Sequence, residues 1–183
     1  MPVGSLLKPT GLNPASGGGL GSKIYLVPKE YLSKQPERDA ANQAVISAAL
    51  AFVTGKSAIE IYCTKETIEP TSKKIQGDNA DCGGVENTMK VFHPTVTEDV
   101  LNFVAENGFG LEGYVFFKNS KDDKIYCLGE ADYCADISDF EMKFGKTMSN
   151  ATGVDLTFTA KQPLPLAIYT GGGLFSQTSI VTP

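Results

Sequence analysis

Few side chains in this sequence of 183 residues have the chemistry that catalysis requires. His93 is the single histidine, and a Ser-His-Asp or Cys-His arrangement would have to use it. Because Pro94 follows it and a helix is predicted just beyond, we expect a structural role for His93. The stretch GGGLGSK is not a phosphate-binding loop, since Ser22 separates the last glycine from Lys23. The sequence therefore predicts no catalytic residue, no cofactor and no enzymatic activity.

The four cysteines do not form a metal-binding pattern. They stand at positions 63, 82, 127 and 134, so there is no CxxC pair, and one histidine cannot complete the usual zinc ligand sets. Cys63 and Cys127 fall in the apolar runs IEIYC and IYCLG. This position favours buried, reduced thiols over disulfides.

Five acidic residues follow Cys127 closely: Glu130, Asp132, Asp136, Asp139 and Glu141. No basic residue lies among them, but the spacing of a calcium-binding EF-hand loop is absent. We interpret the run as a solvated loop and strand edge rather than a metal site. A negative surface with a function of its own is a further interpretation.

Charge is unevenly distributed along the chain. The net charge is −5, and Arg38 is the only arginine, so a protein that grips nucleic-acid phosphates is disfavoured. Residues 1–38 hold five bases and two acids, a balance of +3, and the remaining residues have a balance of −8. A basic arm on an acidic body suits head-to-tail stacking of copies. The start MPVGSLLKPTG lacks a signal-peptide core, and the apolar stretch 44–53 is too short for a bilayer, so we expect a soluble protein without a membrane partner.

Hydrophobic periodicity predicts a mainly β domain over residues 24–170. Apolar residues alternate with polar ones in the segments 59–64, 85–92, 140–145 and 154–160, as in half-buried strands. A hairpin is predicted from strands at 112–118 and 124–129, and residues 43–53 are predicted as a further strand. The total is about seven to eight strands.

One helix is predicted after Pro94. Thr95 and Glu98 have capping-box spacing, and Asn107-Gly108 ends the segment. The residues on its apolar face are Val96, Val100, Leu101 and Val104. The fold class is therefore a β-sandwich or barrel with one flanking α-helix.

Three segments have the composition of arms or long loops. Residues 1–23 and 171–183 are rich in glycine and have no period, and residues 64–84 are a long polar stretch between predicted strands. We hypothesise that these N- and C-terminal arms and this long inter-strand loop make inter-subunit contacts. The candidate contact residues are Leu6, Leu7, Leu12, Leu20, Lys23, Ile68, Lys73, Lys74, Ile75, Leu174 and Phe175.

The order of several short motifs resembles the bacteriophage major tail tube protein family, which is related to type VI secretion tube proteins. The resembling elements are the helix TVTEDVLNFVAENG, the hairpin EGYVFF-KNSKDD-KIYCLGE and the finish FGKTMSNATGVDLTFTAKQPLPLAIYTGG. Upstream, SKIYLVPKEYL is similar to the family's opening strand, and FVTGKSAIEIYCTKET to its first hairpin. The resemblance covers about residues 22–172.

This resemblance implies a structural virion protein with no enzymatic activity. Such subunits join their sheets into hexameric rings that stack into a tube, which conducts genomic DNA without gripping it. The implied partners are other copies of the chain, the tape-measure protein, and the tail terminator and tail tip proteins. The implied location is the virion tail, assembled in the bacterial host cytoplasm. The five acids of the run 130–141 are candidates for the lining of the lumen.

Two alternatives remain at this point. A head–tail connector or tail terminator protein forms one ring and does not stack further. A monomeric β-sandwich that binds a ligand such as a carbohydrate belongs to another class, and exposed aromatic residues near loop tips would favour it.

Overall fold

A computed structural model describes residues 20–77, 83–119, 122–145 and 151–172, with side chains from residue 22 onward. The period-two segments 85–92 and 154–160 lie in the two longest of the strands described. These residues form twelve strands, one α-helix (α1, Glu98–Asn107) and one 3-10 turn (Lys29–Tyr31). The strands are β1 (Leu20–Pro28), β2 (Leu32–Lys34), β3 (Val45–Ile46), β4 (Ala51–Phe52), β5 (Ile59–Tyr62), β6 (Glu69–Gln76), β7 (Gly83–Pro94), β8 (Gly113–Asn119), β9 (Lys124–Leu128), β10 (Asp136–Lys143), β11 (Gly153–Gln162) and β12 (Ala167–Tyr169).

Two sheets make up most of the fold. One has six strands in the order β3-β12-β9-β8-β1-β5, and the other has four in the order β10-β11-β7-β6. Strands β2 and β4 form a small third sheet. All pairings are antiparallel except that of β12 with β3. The predicted mainly β, sandwich-like fold with one helix is therefore confirmed. The number of strands exceeds the prediction because several are only two or three residues long and show no period.

The main core lies between the two large sheets. Ile24 and Phe117 reach it from the six-stranded sheet, and Met89 and Phe158 from the four-stranded sheet. The predicted alternation in β11 is confirmed, because residues 154, 156, 158 and 160 are all buried. A second cluster, around Phe116 and Tyr169, fills the opposite face of the six-stranded sheet. The six-stranded sheet is thus covered on both faces.

Helix α1 packs against the main core but begins later than predicted. Thr97, not Thr95, is its N-cap residue. Thr95 instead has a positive φ of 77°, and its N–H donates to the Thr152 carbonyl (2.8 Å), so it belongs to the junction with β11. The predicted apolar face is wrong at Leu101, which is 46% exposed, whereas Phe103 is buried.

The predicted loop at residues 64–84 is wrong over much of its length. Residues Glu69–Gln76 form β6, which pairs with the first part of β7 from Glu69↔Lys90 to Gln76↔Gly83. The sequence concealed this strand because most of its side chains, on both faces, are exposed. A strand that buries neither face has no period-two hydrophobic pattern. The single strand predicted over 43–53 is also wrong, since this segment forms the separate short strands β3 and β4.

Candidate assembly surface

The four-stranded sheet presents a polar face on the side opposite the core. A row of hydroxyl side chains crosses it, because Thr71 pairs with Thr88 and Thr88 pairs with Thr159. Ser138 of β10 extends the row, with its hydroxyl 2.8 Å from that of Thr159. Threonine suits this position because its branched side chain favours a strand and its hydroxyl tolerates water. The face is therefore built from residues that keep a sheet stable while it remains solvated.

Charged side chains flank this hydroxyl row. By strand register, the outer face carries six carboxylates and four lysines, a formal balance of −2: Glu69, Glu86, Asp136, Asp139, Glu141, Asp155, Lys73, Lys90, Lys143 and Lys161. Lys143 forms ion pairs with Asp155 and with Glu141. Its hydrogen bond to Asp155 is the main cause that raises the pKa of Lys143. The face is hydrophilic and mildly negative.

The two edge strands of this sheet differ in charge. Strand β6 carries Glu69, Lys73 and Lys74, a balance of +1. Strand β10 carries three acids and Lys143, a balance of −2. Within the described residues, no strand pairs with the outer edge of either. Unpaired edges expose backbone donors and acceptors that can accept another strand.

The structure divides the five acids predicted for a lumen into two groups. Asp136, Asp139 and Glu141 lie exposed on the outer face of β10, and Asp132 is exposed in the turn before it. Glu130 requires a correction. Its carboxylate accepts a hydrogen bond from Arg38 Nε, and only 12% of its side chain is exposed. It is therefore part of an internal ion pair rather than of an open surface.

The candidate contact residues are also divided. Ile68 requires a correction, because it is 7% exposed and packs in the main core of its own chain. Lys73 and Lys74 are exposed on β6, and Ile75 is half-buried beside them. Lys23 forms an ion pair with Glu60 of the same chain (Nζ to Oε1, 2.6 Å). Leu20 begins β1, but its side chain lies outside the described residues, as do Leu6, Leu7, Leu12, Leu174 and Phe175.

The sequence analysis missed a junction built on the single arginine. Arg38 donates to Glu130, to the Gln43 carbonyl (2.7 Å) and to the Pro165 carbonyl (2.5 Å). These bonds join three segments that are far apart in sequence. The only signal was the rarity of arginine itself, since a planar guanidinium is well suited to join a carboxylate and several carbonyls.

His93, Cys63 and Cys127 have side chains that could take part in catalysis, but all three are buried and have structural roles. His93 is 3% exposed, and its Nδ1 donates to the Tyr62 carbonyl (2.7 Å). Burial lowers the pKa of His93, although this hydrogen bond opposes the effect. Burial also raises the pKa of the Cys63 and Cys127 thiols. A thiol with a raised pKa is a poor nucleophile, so these side chains act as core residues.

Two further surveys cover the described part of the chain. No group of three His, Cys, Asp or Glu side chains there is arranged to hold a metal ion. None of the helices described is both long and apolar enough to cross a membrane.

Comparison with protein-family models, with curated proteins and with solved structures found no match to this chain.

Proposed function

We propose that this chain is the subunit of a bacteriophage tail tube, in which stacked hexameric rings form the conduit for DNA ejection. The observation that carries the proposal is the four-stranded sheet, which in the described part of the chain combines two open edges with a polar outer face. The sequence resemblance supplies the family. The partners are then other copies of this chain, the tape-measure, terminator and tip proteins, and passing genomic DNA, and the location is the virion tail.

The strand order supports ring closure by rotation. Four antiparallel strands place the edge strands β6 and β10 in opposite directions. When copies are related by rotation about an axis, β6 of one copy meets β10 of the next as an antiparallel neighbour. The same pairing can repeat until the ring closes, which pairs both edges of the four-stranded sheet.

Charge favours the pairing of β6 with β10 within a ring over the pairing of two β6 edges or two β10 edges. Two β6 edges would oppose the positively charged Lys73 and Lys74 of both copies, and two β10 edges would oppose Asp136 and Asp139. Like charges on directly opposed strands are destabilising. A β6 edge beside a β10 edge instead brings a positive strand to a negative one.

The outer face has suitable chemistry for a DNA conduit. Six copies of a four-stranded sheet would close a barrel of about 24 strands, which is wide enough to leave an aqueous bore. A face with a balance of −2 in each copy does not attract phosphates, whereas a cationic wall would retain them. DNA would therefore pass without being held.

Negative-stain electron microscopy of the purified protein over a concentration series tests this proposal. We expect sixfold rings with a central hole that grow into uniform tubes. Deletion of residues 1–20 should impair the stacking. A strict monomer at every concentration would overturn the proposal, and normal tubes after the deletion would count against a role for the N-terminal arm.

A charge reversal tests the edge pairing itself. Lys73→Glu with Lys74→Glu should abolish rings, because both edges then carry a negative charge. Adding Asp136→Lys and Asp139→Lys should restore them. The control is Lys34→Glu with Lys124→Glu, which changes the net charge equally at exposed positions away from the four-stranded sheet. Rings that persist after the β6 reversal would contradict this arrangement.

The two alternatives make different predictions in the same assays. A head–tail connector or tail terminator would form single rings that never stack. A monomeric binding module would stay monomeric and bind a ligand in a glycan screen. Tyr133, 44% exposed in the turn after β9, is the kind of aromatic residue that such a module would use.

A further inference from the structure

A cleft of about 380 Å³ lies beside the Arg38–Glu130 ion pair. The turn that contains Asp132 and Tyr133 forms one wall, and the segment of Pro163 and Leu164 forms another. The Arg38 bonds to Glu130 and to the Pro165 carbonyl hold these walls together. The volume is in the range of pockets that bind small ligands or anchor side chains. Nothing in the proposed ring contact accounts for this cleft.

The lining of the cleft has two unpaired negative charges and an apolar part. Arg38 and Glu130 neutralise each other, which leaves the exposed carboxylates of Glu37 and Asp132. Among the described residues, no cation lies within ion-pair distance of either carboxylate. Tyr133, Pro163 and Leu164 add partly exposed apolar surface. The matching occupant is a peptide segment in which a lysine stands next to apolar residues.

The sequence contains such a segment, outside the described residues. Residues 1–19 carry a single charged side chain, Lys8, which follows Leu6 and Leu7 directly. No acid occurs in this segment to oppose the carboxylates of the cleft. The order Leu-Leu-Lys places apolar side chains beside one positive charge, as the lining requires.

The point where residues 1–19 join the sheet and the cleft lie at opposite ends of β1. Leu20, where residues 1–19 join the sheet, pairs with Asn119 at the far end of β8. The cleft lies at the other end of β1. There Pro28 pairs with Gly113, and Gly113 forms a bridge with Ala135. The turn 130–133, which lines the cleft, follows the end of β9 on the same side. Nine strand residues separate the two ends by about 25 Å. In a stack of copies whose axis runs along β1, the cleft of one copy would face the arm of the next.

We propose that residues 1–19 of one copy dock in the cleft of a second copy, with Lys8 between Glu37 and Asp132 and the leucines against Tyr133 and Leu164. This inference rests on the proposed function, because it needs stacked copies, and it identifies the surface that receives the arm. The twelve residues from Lys8 to Leu20, when extended, span up to about 40 Å, so Lys8 can reach a neighbouring copy that lies beyond the Leu20 end of the sheet.

Cross-linking between differently substituted copies tests the proposal. One full-length variant carries Thr10→Cys near Lys8, and the other carries Gln43→Cys, an exposed residue of the cleft lining. Both also carry Cys82→Ser and Cys134→Ser. With a bis-maleimide reagent, the mixture should give at least about tenfold more mixed dimer than a control mixture with Glu106→Cys, because docking raises the effective concentration of the two thiols. Glu106 is exposed on α1, outside the cleft.

Charge-neutral variants then test the chemistry of recognition. Lys8→Gln, or Glu37→Gln combined with Asp132→Asn, should reduce the mixed dimer to the level of the control mixture, whereas Glu106→Gln should not. Circular dichroism confirms that each variant is folded. An equal yield from the cleft and control positions would overturn the proposal. A cross-linked monomer from a chain that carries both Thr10→Cys and Gln43→Cys, without mixed dimer, would also overturn it by placing the arm in its own cleft.

Electron microscopy of the same samples separates this inference from the proposed function. Rings or tubes without specific cross-linking would refute the docking of residues 1–19 and leave the tail tube proposal intact. Monomers alone, with no ring at any concentration, would refute both.

Discussion

Replacement of Arg38 by methionine is the sharpest test of how this fold holds its segments together. The guanidinium contacts the Glu130 carboxylate and the carbonyls of Gln43 and Pro165. The two charged side chains are only 10% and 12% exposed. Methionine keeps much of the volume but provides no hydrogen-bond donor, so the Glu130 charge is left buried without its partner.

The expected loss of unfolding free energy follows from that burial. Removal of one partner from a buried ion pair costs about 3–5 kcal/mol. For a chain of this length, 1 kcal/mol shifts the melting temperature by about 2–4 °C, so the expected decrease is about 6–20 °C. The matched control is Lys29→Met. Its pair with Glu112 (Nζ to Oε2, 3.4 Å) has both side chains well exposed, so the loss should be below about 1 kcal/mol.

Urea unfolding at a protein concentration that keeps the chain monomeric is the appropriate assay. The midpoint should decrease while the slope with urea stays constant, which indicates a change in stability alone. The double variant Arg38→Met with Glu130→Leu should recover part of the loss, because no unpaired charge remains buried. If Arg38→Met cost no more than Lys29→Met, the reasoning that this junction ties the three segments together would be refuted.

Two further perturbations probe the core and its close contacts. Burial lowers the pKa of His93, so the unfolded chain binds a proton at this side chain more tightly than the folded chain does. The contribution of His93 to the free energy of unfolding should therefore be complete above the ordinary histidine pKa of about 6.5. It should decrease as the pH falls toward the lower pKa of the folded state. In His93→Asn, the free energy of unfolding should change less between pH 7 and pH 5 than in the unsubstituted protein. An unchanged pH dependence would show that another group is responsible. Gly153→Ala should cost about 1–3 kcal/mol, because the new Cβ would lie 2.3 Å from the His93 carbonyl oxygen. The control is Gly84→Ala, whose new Cβ would lie 3.2 Å from its nearest neighbour. Thermal unfolding compares the two variants, and an equal loss of stability in both would contradict the steric reason.

Sequence patterns predicted the fold wherever burial differs between the two faces of an element. In β11 the apolar and polar residues alternate because one face meets the core and the other meets solvent, and the structure confirms this interpretation. In β6 the same reasoning failed, because both faces are largely exposed and no alternation results. In α1 the residues Leu101 and Phe103 were misjudged because the direction of the core, and not hydrophobicity alone, decides which side chains are buried.

Local composition could not predict the long-range partners. Glu130 stands in an acidic run and was expected to be solvated, yet its partner Arg38 is 92 residues away in the sequence. Similarly, Ile68 stands in a polar stretch but packs in the core. No spacing rule reports such contacts, because only the folded chain brings these segments together.

Local sequence patterns are sufficient to predict the mainly β character, the hairpin of β8 and β9, a helix after Pro94 and the burial of Cys63 and Cys127. Each of these depends on neighbours within a few residues, which a linear pattern records. The folded chain is needed to show that β6 and β10 are the edges of one sheet and that the outer face of this sheet is mildly negative. It is also needed to show that Glu37 and Asp132 share a cleft at the opposite end of β1 from Leu20. These features depend on strand order and on contacts between distant segments, which the fold alone specifies.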